Sequence, residues 1–212
     1  MTSEGEEVST TLGEVDQFRL SKALPVRKFQ AHKKQRHYSG LFWSATTRHH
    51  VPYESRLELD RLWLADFDSS VAWIASQPMW LTGIDNGALR RHVPDFLLTH
   101  VDDSVTVVDV KPREFALRPK AAEVFAWTQE LCTTRGWKYE VWHGGDPTVL
   151  ANIKFVSAAR RKHLHPFETA WISTGSPPET EHPADSDVLY DLWSGQRPTE
   201  LDVPLSHSQL TP

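Results

Sequence analysis

The chain has 212 residues, 39% of them hydrophobic, with nine Trp and nine Phe, which suffices for the core of one domain plus tails. It holds no run of about 18 apolar residues, so no membrane span is expected, and its single cysteine, Cys132, excludes an internal disulfide and a cysteine-rich zinc site. The formal net charge of −5 hides a segregation. Residues 1–16 carry five acids and no Lys or Arg, residues 17–167 carry 22 bases against 15 acids, and residues 168–212 carry eight acids against one Arg. A basic body between acidic tails suits either a polyanion such as DNA or plain solvated surface charge.

In chain order, residues 1–18 read as a disordered acidic N-terminus. They lack the basic and apolar regions of a signal peptide, and a cytoplasmic protein is expected. Residues 19–50 form an arm in which Lys28, Lys33, Lys34, Arg36 and Arg48 alternate with Phe29, Tyr38, Phe42 and Trp43. Such an arm either grips a nucleic-acid backbone or packs on the domain through its aromatics. Pro52 to Phe67 reads as the first helix, with Leu59, Leu62, Trp63 and Phe67 on its core face and Glu54 and Glu58 together on another.

Val71 to Gln77 reads as a strand stopped by Pro78, and Trp80 to Ile84 as a second, turned by Asp85-Asn86-Gly87. His92 to Thr99 and Val105 to Lys111 follow as two more. Pro119 to Arg135 is the second helix, with Ala122, Phe125, Ala126, Leu131 and Cys132 as its buried side and Gly136 as its stop. Trp137 to Trp142 is a further strand, and a third helix runs from Pro147 to about Arg161. Residues 166–212 read as an acidic, Pro-rich tail with one apolar island, Val188 to Trp193. This order makes an α/β fold, a mixed sheet flanked by helices.

The chemistry concentrates between His92 and Lys111. On a strand, Asp109 and Lys111 share one face while Val108 and Val110 take the other. In an antiparallel pair, opposed residue numbers sum to a constant. A loop of Val101-Asp102-Asp103 makes that sum 204 and sets Asp95 opposite Asp109, about 5 Å away. A two-residue loop makes it 205 and separates them unless a bulge intervenes. Two close carboxylates repel unless a cation joins them, and carboxylate oxygens suit Mg²⁺, with Mn²⁺ as a substitute. Lys111 would then orient the attacking water or offset charge in the transition state. The bland alternative is a surface ion pair between Asp109 and Lys111. The His pairs at 49–50 and 163/165 lack a third placed ligand and read as surface or core histidines.

With Pro94-Asp95, Asp109 and Lys111 as the motif, the chain resembles PD-(D/E)xK nucleases, which implies a restriction-endonuclease-like core. It resembles TnsA-like heteromeric transposase endonucleases more closely. The residues that carry this are Glu54-Ser55-Arg56-Leu57-Glu58, Asp66-Phe67-Asp68, Gln77-Pro78, Val93-Pro94-Asp95-Phe96-Leu97, Val108-Asp109-Val110-Lys111-Pro112 and Arg135-Gly136-Trp137. The resemblance covers roughly residues 38–145 and makes 19–165 the nuclease domain, arm included. It implies a Mg²⁺-dependent endonuclease cutting double-stranded DNA at transposon ends, beside a DDE-type transposase subunit and an ATP-dependent regulator. By position it makes Glu58, Asp95 and Asp109 metal ligands and Lys111 the catalytic lysine. Glu54 is the rival helix acid, and Gln77 supports the site or makes a structural hydrogen bond. Larger members carry a C-terminal domain where this chain has the acidic tail. Two other functions stay open: a stand-alone phage, restriction or repair nuclease, and a non-catalytic DNA-binding or assembly subunit with the same fold.

Overall fold

The computed structural model describes residues 6–27, 38–160 and 183–205. Lys28, Phe29, Lys33, Lys34 and Arg36 of the basic arm, His163 and His165 lie outside them. The chain divides into two compact units, Met1–Gly144 and Gly145–Pro212.

The first unit runs α1 Gln17–Ser21, β1 Gly40–Ser44, β2 His49–Tyr53, α2 Arg56–Phe67, β3 Val71–Ser76, β4 Leu81–Asp85, β5 Ala88–His92, β6 Phe96–His100, β7 Val105–Val110, α3 Arg113–Ala116, α4 Pro119–Thr134 and β8 Lys138–Trp142. A four-stranded sheet in the order β3-β6-β7-β8 forms its centre. The β3–β6 and β6–β7 pairs are antiparallel and β7–β8 is parallel, with α4 in the crossover. The sheet is therefore mixed and flanked by helices, a restriction-endonuclease-like α/β core.

Alternation along the strands builds two cores. On one face Ile74, Phe96, Leu98, Val108 and Val110 pack with Leu62 and Ala65 of α2 and with Phe42, Val51 and Tyr53 of β1 and β2. On the other, Ala75, Leu97, Val105 and Val107 pack with Leu20 of α1, Cys132 of α4 and Trp137. Covered on both faces, β7 is buried at all six positions, as its valine-rich sequence requires.

The β6–β7 register pairs Phe96 with Val108 and Leu97 with Val107, the sum of 204 that the three-residue loop predicts. His100 N–H donates to Ser104 O at 2.9 Å to close the loop. Asp103 takes the left-handed conformation (φ 63°) that such a loop needs at its last position.

Four expectations are corrected. His92 to Thr99 is not one strand: β5 ends at His92 and β6 starts at Phe96, because Pro94 has no N–H to give a ladder. Within the arm, β1 and β2 form a hairpin that places Phe42 in the core. The first helix begins at Arg56 behind an N-cap Ser55, and Pro52 belongs to β2. On α4, Ala122 and Ala126 are exposed, and Trp127 and Thr128 take the buried side with Cys132.

The second unit holds α5 Pro147–Val156, a 3-10 turn at Ser157–Ala159 and α6 Pro183–Trp193. The apolar island is the end of α6, with Val188, Leu192 and Trp193 buried. Asn152 Nδ2 donates to Leu201 O and Val203 O at 2.8 and 2.7 Å, tying the segment after α6 to α5. Among the described residues no helix is long and apolar enough to cross a membrane.

Candidate active site

Asp95 stands one residue before β6, and the register of 204 carries it into line with Asp109 on β7. Its Oδ2 accepts from Val110 N–H at 2.7 Å, and its carbonyl accepts from Gln77 N–H at 2.8 Å. Burial holds its carboxyl well above the usual carboxylate range. The like charges of Asp109 and Glu58 push it the same way, and the Val110 N–H and Arg27 pull it back. Two of the other acids that the motif singled out are thus felt at Asp95.

Asp109 is only 3% exposed. His92 Nε2–H donates to both its oxygens, at 2.9 and 2.8 Å, and the Tyr139 hydroxyl donates to Oδ2 at 2.5 Å. Burial and the charge of Asp109 drive the Tyr139 phenol far above its ordinary value, so it remains a donor. The same two causes push the Cys132 thiol up to about 12, which leaves it unreactive. Lys111, next after β7, is exposed. The surface ion pair with Asp109 does not form, since Asp109 pairs with His92. The positive charge of Lys111 is felt instead at Glu58.

Glu58 lies in the first turn of α2 and is 8% exposed. It closes a capping box: Ser55 Oγ accepts from Glu58 N–H at 3.1 Å, and the carboxylate accepts from Ser55 Oγ–H at 2.8 Å and Glu54 N–H at 2.7 Å. Burial raises its carboxyl first of all, and Glu54 adds to this, while those two hydrogen bonds and Lys111 act against it. Glu54 precedes the helix, so the two acids meet through the cap and not as neighbours one helical turn apart.

Gln77 joins these parts. It follows β3 in a left-handed conformation (φ 45°) that is costly for a side-chain-bearing residue. Its Nε2 donates to Glu54 at 3.0 Å while its N–H holds the Asp95 carbonyl. Among the described residues its buried Oε1 has no hydrogen-bond partner.

The donor chemistry suits a hard divalent cation: Asp95 feels the charges of two further carboxylates, Asp109 and Glu58, and among the described residues the buried Gln77 Oε1 lacks a donor. Among the described residues, no three His, Cys, Asp or Glu side chains are gathered where one ion could be shared. The oxygens of Asp109 face His92 and Tyr139 instead.

His92, Tyr139 and Arg27 were not legible as site residues. His92 ends β5, a strand that the sequence reading leaves unassigned apart from His92 itself, which it gives to the next strand. Tyr139 reaches Asp109 through the parallel β7–β8 register, in which it pairs with Val107, and no local pattern announces that.

Residues 68–143 match the family model described as TnsA-like endonuclease N terminal. The match spans β3 to β8 with Gln77, Asp95, Asp109 and Lys111, and leaves Glu54 and Glu58 outside. A comparison with curated proteins gave no match.

Proposed function

We propose, from the match of residues 68–143 to the TnsA-like endonuclease N-terminal family model, that the protein is the Mg²⁺-dependent DNA endonuclease subunit of a heteromeric transposase. The observation that carries this reading is the β6–β7 register, which, extended one residue beyond Phe96–Val108, sets Asp95 opposite Asp109, while Glu58 is felt at Asp95.

Glu58, Asp95 and Asp109 would hold the ion, with Mn²⁺ as a substitute, and Gln77 Oε1 supplies a further acceptor. When bound, the ion lowers the pKa of a water and polarises the phosphodiester. The other roles belong to the chain itself. Lys111, exposed beside Glu58, offsets the negative charge that grows on the phosphate as the water attacks. The capping box fixes Glu58 at the start of α2, and Gln77 fixes Glu54 relative to the Asp95 backbone. His92 and Tyr139 orient the Asp109 carboxylate from behind. The partners under this reading are double-stranded DNA, a DDE-type transposase subunit and an ATP-dependent regulator.

A second reading is favoured by the state of Asp109, whose oxygens are both taken by His92: a non-catalytic assembly subunit that retains the fold. Calorimetry separates the two. Mg²⁺ is titrated into the full chain with an oligonucleotide duplex present, for wild type, Asp95→Ala and Asp109→Ala. Binding in the wild type that is lost in both variants supports the nuclease. Equal binding in all three, or none in any, overturns it in favour of the assembly subunit.

A further inference from the structure

We propose that Arg27, Trp80 and Arg91 form a binding site for a backbone phosphate of DNA, flanking the acids and separate from the hydrolytic machinery. This rests on the nuclease reading and adds the element that would hold the duplex against it.

The β4–β5 hairpin turns at Asn86-Gly87, both with positive φ, and alternation gives it two faces of different character. Gly83, Asp85, Arg90 and His92 lie on one of them. A Cβ at Gly83 would come within 3.2 Å of the Trp127 ring, so its absence lets α4 close onto the hairpin. Arg90 pairs with Asp85 and, at 3.0 Å, with Glu123 of α4, and His92 ends on Asp109. This face is pinned to the body and to the candidate active site.

The other face carries Thr82, Ile84, Leu89 and Arg91, all exposed. The Arg91 guanidinium lies 4.0 Å from the centre of the Trp80 ring, and that of Arg27 lies 5.5 Å from the same ring. Trp80 itself is 40% exposed. Among the described residues neither Arg27 nor Arg91 has a carboxylate within ion-pairing distance, whereas Arg90 next door has two. Val26 N–H donates to Gln77 O at 2.9 Å and Gln77 N–H to Asp95 O at 2.8 Å, so the segment that carries Arg27 adjoins the acids, and its charge is felt at Asp95.

An arginine laid on an indole keeps its N–H edge free while the ring restricts its motion. Two such groups on one aromatic platform present planar donors to a phosphate, with part of the ordering cost already met. A strand whose scissile phosphate reaches Asp95 and Lys111 must place neighbouring phosphates nearby. An acidic protein segment is the competing occupant.

The test is fluorescence anisotropy of a labelled duplex with the full chain, in EDTA so that nothing is cut, across a series of salt concentrations. Arg27→Ala, Arg91→Ala and Trp80→Ala are compared with wild type, and Lys138→Ala, an exposed base on β8, is the control. Each Arg variant should bind several-fold more weakly and lose about one unit of the slope of log affinity against log salt. Trp80→Ala should weaken binding by removing the platform, and Lys138→Ala should match wild type. Arg91→Lys should keep the slope and recover only part of the affinity. Wild-type slope and affinity in both Arg variants would overturn the site and leave the nuclease reading standing. So would equal loss in Lys138→Ala, or capture of an acidic peptide in preference to the duplex. Failure of the wild type to bind any duplex would overturn both.

Discussion

Tyr139→Phe removes a single oxygen, the one that donates to Asp109 Oδ2 at 2.5 Å. Among the described residues Asp109 then keeps only His92, and at 3% exposure water has little access to replace the lost donor. A hydrogen bond to an ionised acceptor contributes about 1.5–3 kcal/mol. We expect a loss of about 2 kcal/mol at pH 7, or about 4–8 °C in Tm for a unit of this size. The assay is thermal unfolding of the full chain by circular dichroism in EDTA. Alkaline pH supplies a second readout. The phenol is raised in the folded protein, so above about pH 10 the unfolded chain releases a proton that the native state retains. The native state then binds more protons, and stability falls as pH rises. The phenylalanine variant has no such proton, so the gap between it and wild type should narrow above about pH 10. An unchanged Tm at pH 7 would refute the argument, as would a gap that stays constant across the alkaline range.

Other predictions follow from the same geometry. Asp95→Asn should stabilise the metal-free protein at neutral pH by about 1–2 kcal/mol, because it removes a buried charge facing Asp109 and Glu58. The Asp95 carboxyl is raised in the native state, so its cost grows as pH climbs above the ordinary carboxylate range. The gain should therefore vanish below about pH 4, and urea unfolding at two pH values reads it. A variant less stable at neutral pH would contradict the crowding. Glu58→Ala should lose the capping box at about 1 kcal/mol, while Glu58→Gln, which can still bond back, should lose little of it; equal losses on denaturation would remove Glu58 from the cap. Lys111→Ala should leave the unfolding midpoint unchanged, since the side chain is exposed. Its plasmid-nicking rate should drop about 10²–10³-fold, and undiminished nicking would take Lys111 out of the chemistry.

The readable parts of this protein are those with a local cause. A valine-rich run marks β7, and the turn at 101–103 leaves two registers against β6, of which the three-residue loop gives the one observed. The start of α2 is misplaced at Pro52 in the sequence reading, although the Ser55-x-x-Glu58 spacing marks it, and the aromatic-rich stretch before it conceals β1 and β2. The Asn86-Gly87 turn is legible, but the strand it leads into, β5, lacks an apolar alternation of its own and is recognised only by its pairing with β4. On α4 the phase was misread because alanines are neutral about burial, while Trp127 had a glycine to lie against.

The sequence by itself determined the α/β class and the order of the main elements, and it confined Asp95 and Asp109 to two registers, of which the structure adopts 204, since strand alternation and loop length act over a few residues. Only the tertiary structure decided what those acids touch. His92 and Tyr139 reach Asp109 from 17 and 30 residues away, and Arg27 meets Trp80 and Arg91 across three separate segments. Such meetings depend on where whole elements pack, and no spacing along the chain encodes them.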